Sequence, residues 1–291
     1  MLLVTGATGG LGSLVLDRLA GRADLVAGTR DLARARPGVP ARRVDFDDPA
    51  ALPEAFAGVD TLLFVSAGYG EDDVVIARHD AAVSAAEQAG VRHLVYTSLT
   101  AAGDHLPYAA PHRWTERRLR DSSVDWTVLR NGLYAELLGL LAAPDPDGRI
   151  TAPLGAGRLA AVAREDLADV AARVLTEVSA GATDHRGRTY ELVGERAVGG
   201  ADVARALSGP GRPAVRYEPG TLAGARAAVA ASGAQPFQVP MLVGTLSAVA
   251  AGFLDGTGGD LGALLGRPSR PALDVIAGAA DAQSPAARPR G

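Results

Sequence analysis

The sequence predicts an α/β fold in which a doubly wound parallel sheet is joined to a small, mainly helical C-terminal lobe. Three observations support this fold class. A short apolar strand at residues 1–4 runs into a glycine-rich turn and then into a segment with helical spacing. Further apolar strands alternate with helical segments through the first half of the chain. The 291 residues, 47% of them hydrophobic, suffice for one large domain with a smaller lobe.

The first turn contains the spaced glycines Gly6, Gly9 and Gly12, between the first strand and the first helix. Dinucleotide-binding loops have this pattern, because a pyrophosphate must approach backbone N–H groups at a helix N-terminus and side chains would obstruct it. Glycines also occur in ordinary turns, but the order of strand, loop and helix favours the nucleotide-binding interpretation. This part of the sheet is therefore expected to be of the Rossmann type.

The second strand, residues 25–29, ends at Arg30, where the adenosine ribose of a bound dinucleotide is expected. A carboxylate there would favour NAD, whereas a guanidinium suits a 2′-phosphate. Arg34 lies one helical turn further on and adds a second positive charge, while the acidic Asp31 is interpreted as an N-cap. We therefore expect NADP (NADPH) as the cofactor. The alternative is that Arg30 and Arg34 are solvated helix charges.

The elements that follow continue the alternating pattern. The predicted strands are residues 41–46, 60–66, 93–98 and 125–130, and the predicted helices are 47–56, 71–89 and 111–121. Asp45 and Phe46, at the end of the third strand, are candidates to lie beside the adenine, although capping and packing explain them nearly as well. The loop after the fourth strand, Ser66-Ala67-Gly68, leaves the carboxyl edge of the sheet, where ligands bind in doubly wound folds.

The domain organisation follows from where this pattern stops. Residues 1–134 are predicted to form the dinucleotide-binding core, and residues 158–194, with a helix and a further strand, are expected to return to it. Residues 135–157 and 195–278 are predicted to form the substrate lobe. Residues 279–291, rich in Ala, Ser, Pro and Arg without periodicity, are predicted to be a disordered tail.

Composition restricts the classes of function. The formal net charge of −4 at pH 7 gives no basic surface for nucleic acid or for an anionic membrane. The chain has no cysteine, which excludes disulfides, thiolate metal ligands and cysteine nucleophiles, and no metal site is predicted. The first strand begins at the first residue and no apolar run has membrane-spanning length, so we expect a cytoplasmic monomer or homodimer that acts on a small molecule.

Several segments together resemble the NmrA-like atypical short-chain dehydrogenases, and within them the NADPH-dependent quinone oxidoreductase and triphenylmethane reductase branch. The resemblance extends from residue 1 to about residue 277. The stretch Arg130-Asn131-Gly132-Leu133-Tyr134 is more specific to this branch than the glycine loop, which many short-chain dehydrogenases share. The segments that carry the resemblance are Thr5-Gly6-Ala7-Thr8-Gly9 with Arg30, Tyr96-Thr97-Ser98, His112 with Thr115-Glu116, and 129–134.

The resemblance implies a cofactor site and a substrate cleft between two lobes. By matching position, the pyrophosphate would be lined by Gly6, Thr8, Gly9, Gly10 and Leu11. Arg30 would meet the 2′-phosphate, and Ser66, Ala67 and Gly68 the nicotinamide-side ribose. Tyr96, Thr97 and Ser98 would lie near the nicotinamide, and Asn131, Gly132 and Tyr134 would border the ring and the substrate.

The chain departs from the usual short-chain dehydrogenase pattern at its catalytic residues. These enzymes carry a Tyr-x-x-x-Lys pair, in which lysine lowers the pKa of the tyrosine, but this chain contains no lysine. Arg117 stands where the quinone reductases have lysine, Tyr108 precedes His112 by four residues, and Leu99 occupies the position of a catalytic serine in the extended enzymes. Carbonyl reduction by a tyrosine–lysine pair is therefore disfavoured.

Hydride transfer to a quinone does not require that pair, since the quinone is a strong acceptor and the cofactor carries the chemistry. His112 and Tyr134 are the candidates for substrate contact or proton supply. A structural, half-buried imidazole is an equally good interpretation of His112, and Tyr134 has the alternative of packing under the lobe. The favoured function is an NADPH-dependent reductase of quinones or similar conjugated molecules. The alternatives are a non-catalytic NADP-binding sensor of the NmrA type and a biosynthetic ketoreductase or isomerase.

Overall fold

The structure, a computed structural model, describes residues 1–67, 70–208 and 213–283, and residues 282 and 283 are described through their backbone alone. The chain divides into two compact units. The first unit consists of Met1–Leu99, Tyr108–Asn131 and Glu165–Glu191, and the second of Thr100–Pro107, Gly132–Arg164 and Leu192 onwards.

The strands of the described chain lie in one large sheet and two small ones. In chain order they are β1 (Leu2–Val4), β2 (Leu25–Thr29), β3 (Ala41–Arg43), β4 (Thr61–Val65), β5 (His93–Leu99), β6 (Asp125–Asn131), β7 (Arg149–Ile150), β8 (Arg158–Leu159), β9 (Arg188–Leu192), β10 (Val198–Gly199) and β11 (Arg216–Tyr217).

The helices complete the secondary structure. They are α1 (Gly10–Arg18), α2 (Leu52–Ala55), α3 (Asp72–Gln88), α4 (Ala109–Arg120), α5 (Ala135–Leu141), α6 (Arg164–Ser179), α7 (Gly200–Leu207), α8 (Leu222–Ala231), α9 (Gln238–Ala250), α10 (Leu261–Leu265) and α11 (Ala272–Gln283).

The first unit contains the large sheet, whose strand order is β3-β2-β1-β4-β5-β6-β9. The pairs from β3 to β6 are parallel, and the chain reverses direction across the sheet between β1 and β4. Loops diverge at such a switch point and leave a crevice at the carboxyl edge. The predicted Rossmann-type doubly wound fold is confirmed.

Burial explains why the central strands are apolar. Every residue of β5 is buried, and so is every residue of β4 except Val65, because helices cover both faces of this sheet. Leu62 and Phe64 of β4 and Tyr96 of β5 belong to one core cluster, together with Val83 of α3 and Leu119 of α4. The rigid packing fixes where the ends of these strands present their loops.

The second unit is mainly helical, as the sequence predicts. Helix α11 packs against α5 and α7, and α8 packs against α9. Two short strand pairs accompany these helices, β7 with β11 in parallel and β8 with β10 in antiparallel orientation. Among the described residues, no helix is both long and apolar enough to span a bilayer.

Several boundaries differ from the sequence-based ones. Strand β3 ends at Arg43 instead of Phe46, because Asp45 closes a turn by accepting the N–H of Asp47 at 3.2 Å. Helix α4 begins at Ala109 instead of Pro111, which a first-turn proline permits. The tail predicted to be disordered from residue 279 begins as the end of α11, up to Gln283, and residues 284–291 lie outside the described ones.

The division into a cofactor core and a substrate lobe is retained as a proposal. The compact units assign 100–107 and 132–134, which the sequence places in the core, to the second unit. Residues 158–164 and 192–194 are assigned in the same way. The large sheet itself, with β9 beside β6, lies in the segments that the sequence assigns to the core.

Candidate functional site

The turn between β1 and α1 is an open backbone cradle. Gly6 has a φ of +60°, a conformation that suits glycine, and a Cβ on Gly12 would overlap the carbonyl oxygen of Gly6. Helix α1 begins at Gly10 after Gly9, and no side chain caps it, so an anion can approach its first-turn N–H groups. Thr8, Gly9 and Gly10 are exposed and Leu11 is buried beneath them. These residues fit a dinucleotide pyrophosphate.

The two arginines proposed for the 2′-phosphate are exposed after β2. Within the part of the chain that the structure describes, neither Arg30 nor Arg34 has an ion-pair partner. The adjacent Asp31 caps a short 3₁₀ turn, Leu32–Arg34, by accepting the N–H of Ala33 at 2.9 Å, as the sequence predicts. Its carboxylate thus caps the turn, and the charge of Arg30 also acts on Asp47, whose pKa is lowered first by the hydrogen bond from Arg78 and further by the charges of Arg78 and Arg30.

Asp45 and Phe46 follow β3, and both have local partners. The carboxylate of Asp45 accepts Arg43 Nη2 at 2.8 Å, and the Phe46 ring packs edge-on against Phe64 at a centroid distance of 5.4 Å. The turn also includes Asp47, whose carboxylate receives two hydrogen bonds from Arg78 of α3, at 2.6 and 3.0 Å. Capping and packing therefore account for these two residues, and their contact with adenine stays a prediction.

Side chains hold the backbone where β4 ends. Thr5 Oγ1 accepts the N–H of Val65 at 2.9 Å, and Thr97 Oγ1 accepts the N–H of Ser66 at 3.0 Å. The N–H of Ala67 donates to Nε2 of His79, on α3, at 3.0 Å. Gly68, which the sequence assigns to the same ribose site, lies outside the described residues.

A buried polar cluster lies behind this loop, between β5, α3 and α4. The Tyr96 hydroxyl is 2.9 Å from Nδ1 of His112 and 3.5 Å from Nδ1 of His79. Thr115 Oγ1 is 2.7 Å from His79 Nδ1 and donates to the carbonyl of Pro111 at 2.7 Å. His112 is thus fixed by its contact with Tyr96.

Burial keeps this cluster uncharged. It raises the pKa of the Tyr96 phenol well above its ordinary value. Burial, with a contribution from Arg113, lowers the pKa of His112 to about 4, and burial lowers that of His79 to about 3. At neutral pH His112 is therefore a neutral imidazole, which can form hydrogen bonds but carries no extra proton to give away.

The predicted nicotinamide-side residues of β5 are turned inward. No part of Tyr96 is accessible, because its phenol belongs to the buried cluster, and its place near the nicotinamide stays a prediction. Ser98 donates to the buried carboxylate of Glu116 at 2.7 Å, and Thr97 holds Ser66. Asn131, at the end of β6, is paired in register with Leu99 and is 6% exposed.

Glu116 is buried, with a side chain that is 1% exposed, and its carboxylate is held by arginines. Arg130 donates to its two carboxylate oxygens at 2.6 and 2.8 Å, and Arg113 donates at 2.9 Å. Burial alone would raise the pKa of this carboxyl, but the bonds from Arg130 and Ser98 and the charge of Arg113 lower it. Glu116 is therefore a permanent anion that ties α4 to β6.

Tyr134 belongs to the second unit. It forms an isolated parallel β-bridge with Val162, and the guanidinium of Arg164 lies 4.6 Å from its ring centroid. Glu136 in turn accepts the backbone N–H of Arg164 at 3.2 Å. Burial raises the pKa of the phenol although Arg164 opposes the shift, so Tyr134 is also neutral at pH 7.

Sequence reasoning missed His79. The apolar stripe of α3 is formed by Val75, Ala82, Ala86 and Ala89, and His79 occupies the same helical face between the first two. A polar residue inside an apolar stripe is the signal that would have found it. The pairing of Glu116 with Arg130 was also missed, although both lie in motifs that carry the resemblance.

Comparisons with known proteins identify the family. A family model described as NAD(P)H-binding matches residues 6–178. Quinone oxidoreductase 2 of Escherichia coli is 37% identical over 206 residues, which cover 68% of this chain and 70% of the relative. An NAD(P)H azoreductase of Xenophilus azovorans is 34% identical over 282 residues, or 93% of this chain and 94% of the relative.

A solved structure extends the similarity to both units. The triphenylmethane reductase of Citrobacter sp., complexed with NADP(H), superimposes with a TM-score of 0.85 at 30% identity and covers 96% of this chain and 99% of its own. The chain belongs to the NAD(P)H-binding family and is an NAD(P)H-dependent oxidoreductase. The predicted resemblance to the NmrA-like quinone oxidoreductase and triphenylmethane reductase branch is confirmed, as is a nicotinamide dinucleotide cofactor.

Proposed function

We propose that this NAD(P)H-dependent oxidoreductase uses NADPH to reduce quinones or similarly conjugated small molecules. The names of the three relatives state that they act on a quinone, an azo compound and a triphenylmethane. These acceptors share an extended conjugated system that takes up two electrons as hydride and delocalises the charge. A substrate of this chemical class is therefore the simplest common choice.

The preference for NADPH rests on the end of β2. Arg30 and Arg34 are exposed there, and the adjacent Asp31 accepts a backbone N–H. A guanidinium that is always charged can form two charge-assisted hydrogen bonds to a 2′-phosphate. The glycine cradle, Gly6 to Leu11, would hold the pyrophosphate, and Ser66 and Ala67 would face the nicotinamide-side ribose.

The observation that carries the choice of substrate is that the buried His112 is a neutral imidazole at pH 7. The cluster offers a phenol with a raised pKa and an imidazole with a pKa of about 4, and the chain has no lysine. A simple ketone needs a proton donor as hydride arrives, because an alkoxide is a strong base. A quinone forms a stabilised hydroquinone anion, which takes its proton from water afterwards.

When bound, the cofactor supplies the hydride, and the residues of this chain supply position and environment. His112, held by Tyr96, would donate or accept a hydrogen bond at the substrate, and Tyr134 would provide a neutral aromatic contact. The side chains of the buried cluster, Tyr96, His112 and His79, are themselves uncharged at neutral pH. One hydride from NADPH and one proton from water convert a quinone into its hydroquinone, and NADPH is oxidised to NADP⁺.

The proposal is tested by measuring NADPH oxidation by the purified chain with a benzoquinone, a naphthoquinone, an azo dye and an aliphatic ketone. We expect turnover with conjugated acceptors, none with the ketone, and a lower KM for NADPH than for NADH. Arg30→Asp is expected to raise the KM for NADPH by roughly tenfold or more, since a charge-assisted bond contributes about 1.5–3 kcal/mol. Arg226→Asp, on the exposed face of α8, is the matched control.

Three outcomes contradict the proposal. Reduction of the ketone at a rate comparable with the quinones would show that the site supplies an acid. If none of the acceptors in the panel is reduced, the proposed reductase function is wrong. If Arg30→Asp leaves the cofactor preference unchanged, the proposed role of Arg30 is wrong.

A further inference from the structure

His79 is a buried imidazole that the cofactor and substrate assignments above leave without a role. It lies on α3 with no accessible surface, and its ring packs edge-on against Phe64 at a centroid distance of 5.0 Å. Both ring nitrogens have close partners, Ala67 N at 3.0 Å and Ser66 Oγ at 3.3 Å from Nε2, and Thr115 Oγ1 at 2.7 Å from Nδ1. An apolar side chain would fill the same space without these contacts.

The partner of Nε2 fixes the tautomer. A backbone N–H can only donate, so the Nε2 atom that faces Ala67 carries a lone pair and no hydrogen. The proton therefore resides on Nδ1, and Thr115 Oγ1 accepts it while donating its own hydrogen to Pro111. Protonating Nε2 would set two N–H groups against each other, in line with a pKa lowered to about 3 by burial.

The bond from Ala67 is the third in a row of the same kind. From the last residue of β4 onwards, the N–H groups of Val65, Ser66 and Ala67 are held in turn by the side chains of Thr5, Thr97 and His79. Thr5 directly follows β1, Thr97 belongs to β5, and His79 comes from α3, the helix that follows the loop. The backbone at this edge is thus fixed by three separate elements.

We propose that His79 is a positioning residue, whose Nε2 lone pair holds the Ser66–Ala67 backbone in the conformation that receives the nicotinamide-side ribose. The inference rests on the proposed function for the place of the ribose. The inference assigns His79 no contact with the cofactor or the substrate; His79 acts through the loop alone.

Two polar replacements separate this role from simple core filling. The side-chain oxygen of His79→Gln reaches the position of Nε2 and can accept the N–H of Ala67. The shorter side chain of His79→Asn reaches only the position of Nδ1 and leaves that N–H unpaired. We expect His79→Asn to raise the Kd for NADPH by about tenfold, the usual effect of an unsatisfied buried donor, and His79→Gln to restore it to within about threefold.

The matched control is His93→Asn. His93 is a second buried histidine of the same sheet, and its Nε2 lies 2.8 Å from Thr127 Oγ1 at the opposite, amino end of β5. We expect it to lower the unfolding midpoint as much as His79→Asn does and to leave the Kd for NADPH unchanged. The Kd is measured by fluorescence titration without an acceptor, so a failure of quinone turnover does not affect the result.

Wild-type protein gives a second measurement that requires no variant to fold. Imidazole nitrogen resonances are expected to show His79 protonated on Nδ1 and bare on Nε2 throughout about pH 5 to 8. Adding NADP⁺ is expected to shift the Ala67 amide and the His79 Nε2 resonance together. Equal Kd values for His79→Asn and His79→Gln, a loss of affinity in His93→Asn, or the opposite tautomer would overturn the inference.

Discussion

At the scale of single residues, the carboxylate of Glu116 is a buried charge held by several hydrogen bonds. Its neighbours are Ser98 and three arginines, of which Arg130 contributes two hydrogen bonds and Arg120 approaches to 3.6 Å. Taking a carboxylate out of water is costly, so the ion pairs here mainly compensate for burial. Removing one partner is then far more harmful than the small net value of an ion pair suggests.

We expect Arg130→Met to lower the free energy of unfolding by roughly 3 kcal/mol, the low end for breaking a buried pair, because Arg113 and Ser98 still serve Glu116. The control is Arg117→Met on α4, the helix that carries Glu116. The side chain of Arg117 is 74% exposed, and its partner Asp121 is exposed as well. That variant is expected to lose less than about 0.5 kcal/mol. Urea unfolding of both variants measures the difference, and similar losses would show that Glu116 is not held as described.

Sequence reasoning identified many of these residues but not their partners. Glu116 and Arg130 stand in motifs that carry the family resemblance, yet 13 residues separate them and only the packing of α4 against the sheet brings them together. Tyr96 was predicted to lie near the nicotinamide, but the sequence does not reveal that its side chain belongs to the buried cluster. The two faces of a strand buried on both sides are alike in sequence.

At the scale of elements, the turn between β1 and α1 was predictable because its chemistry is local. A glycine with positive φ, an uncapped helix and close contact between Gly12 and Gly6 all follow from consecutive residues. The end of β3 was not predictable in the same way, since Val44 is as apolar as a strand residue. There the Asp45 carboxylate ends the strand by closing a turn.

We expect Gly12→Ala to weaken NADPH binding at least tenfold and to destabilise the fold by about 1–3 kcal/mol, because the added methyl group must displace the Gly6 carbonyl. Gly278→Ala is the control, since a methyl group there meets nothing and a helix favours alanine. Calorimetric titration with NADPH and thermal unfolding measure both effects. Normal affinity in Gly12→Ala would mean that the cradle tolerates a shift of α1.

At the scale of the whole molecule, the fold class and the large sheet were predictable because strands and helices alternate with short connections. Such a pattern has few solutions, and the order β3-β2-β1-β4-β5-β6 is the common one. The compact units were less predictable, because residues 100–107, which follow β5, belong to the second unit although the segments before and after them belong to the first. Contacts between residues distant in sequence, which no local pattern encodes, decide that assignment.

Burial also determines how the molecule as a whole responds to acid. The pKa of His79 is lowered to about 3, and the pKa values of His93 and His112 to about 4, in each case first by burial. Asp125 near His93 and Glu116 near His112 oppose the shift, whereas Arg186, His185 and Arg113 reinforce it. In the unfolded chain all three would titrate near the ordinary value of about 6.5.

The unfolded state therefore binds more protons than the folded one between about pH 6.5 and pH 4, and stability must fall as the pH falls through this window. The contribution of each histidine is complete above about pH 6.5, and at pH 5 roughly 2 kcal/mol per histidine has been lost. We expect urea unfolding at several pH values to show this loss. His93→Gln keeps a polar partner for Thr127 and is expected to reduce the slope of stability against pH by about a third. An unchanged slope would show that His93 is hydrated in the folded state and that burial does not control its charge.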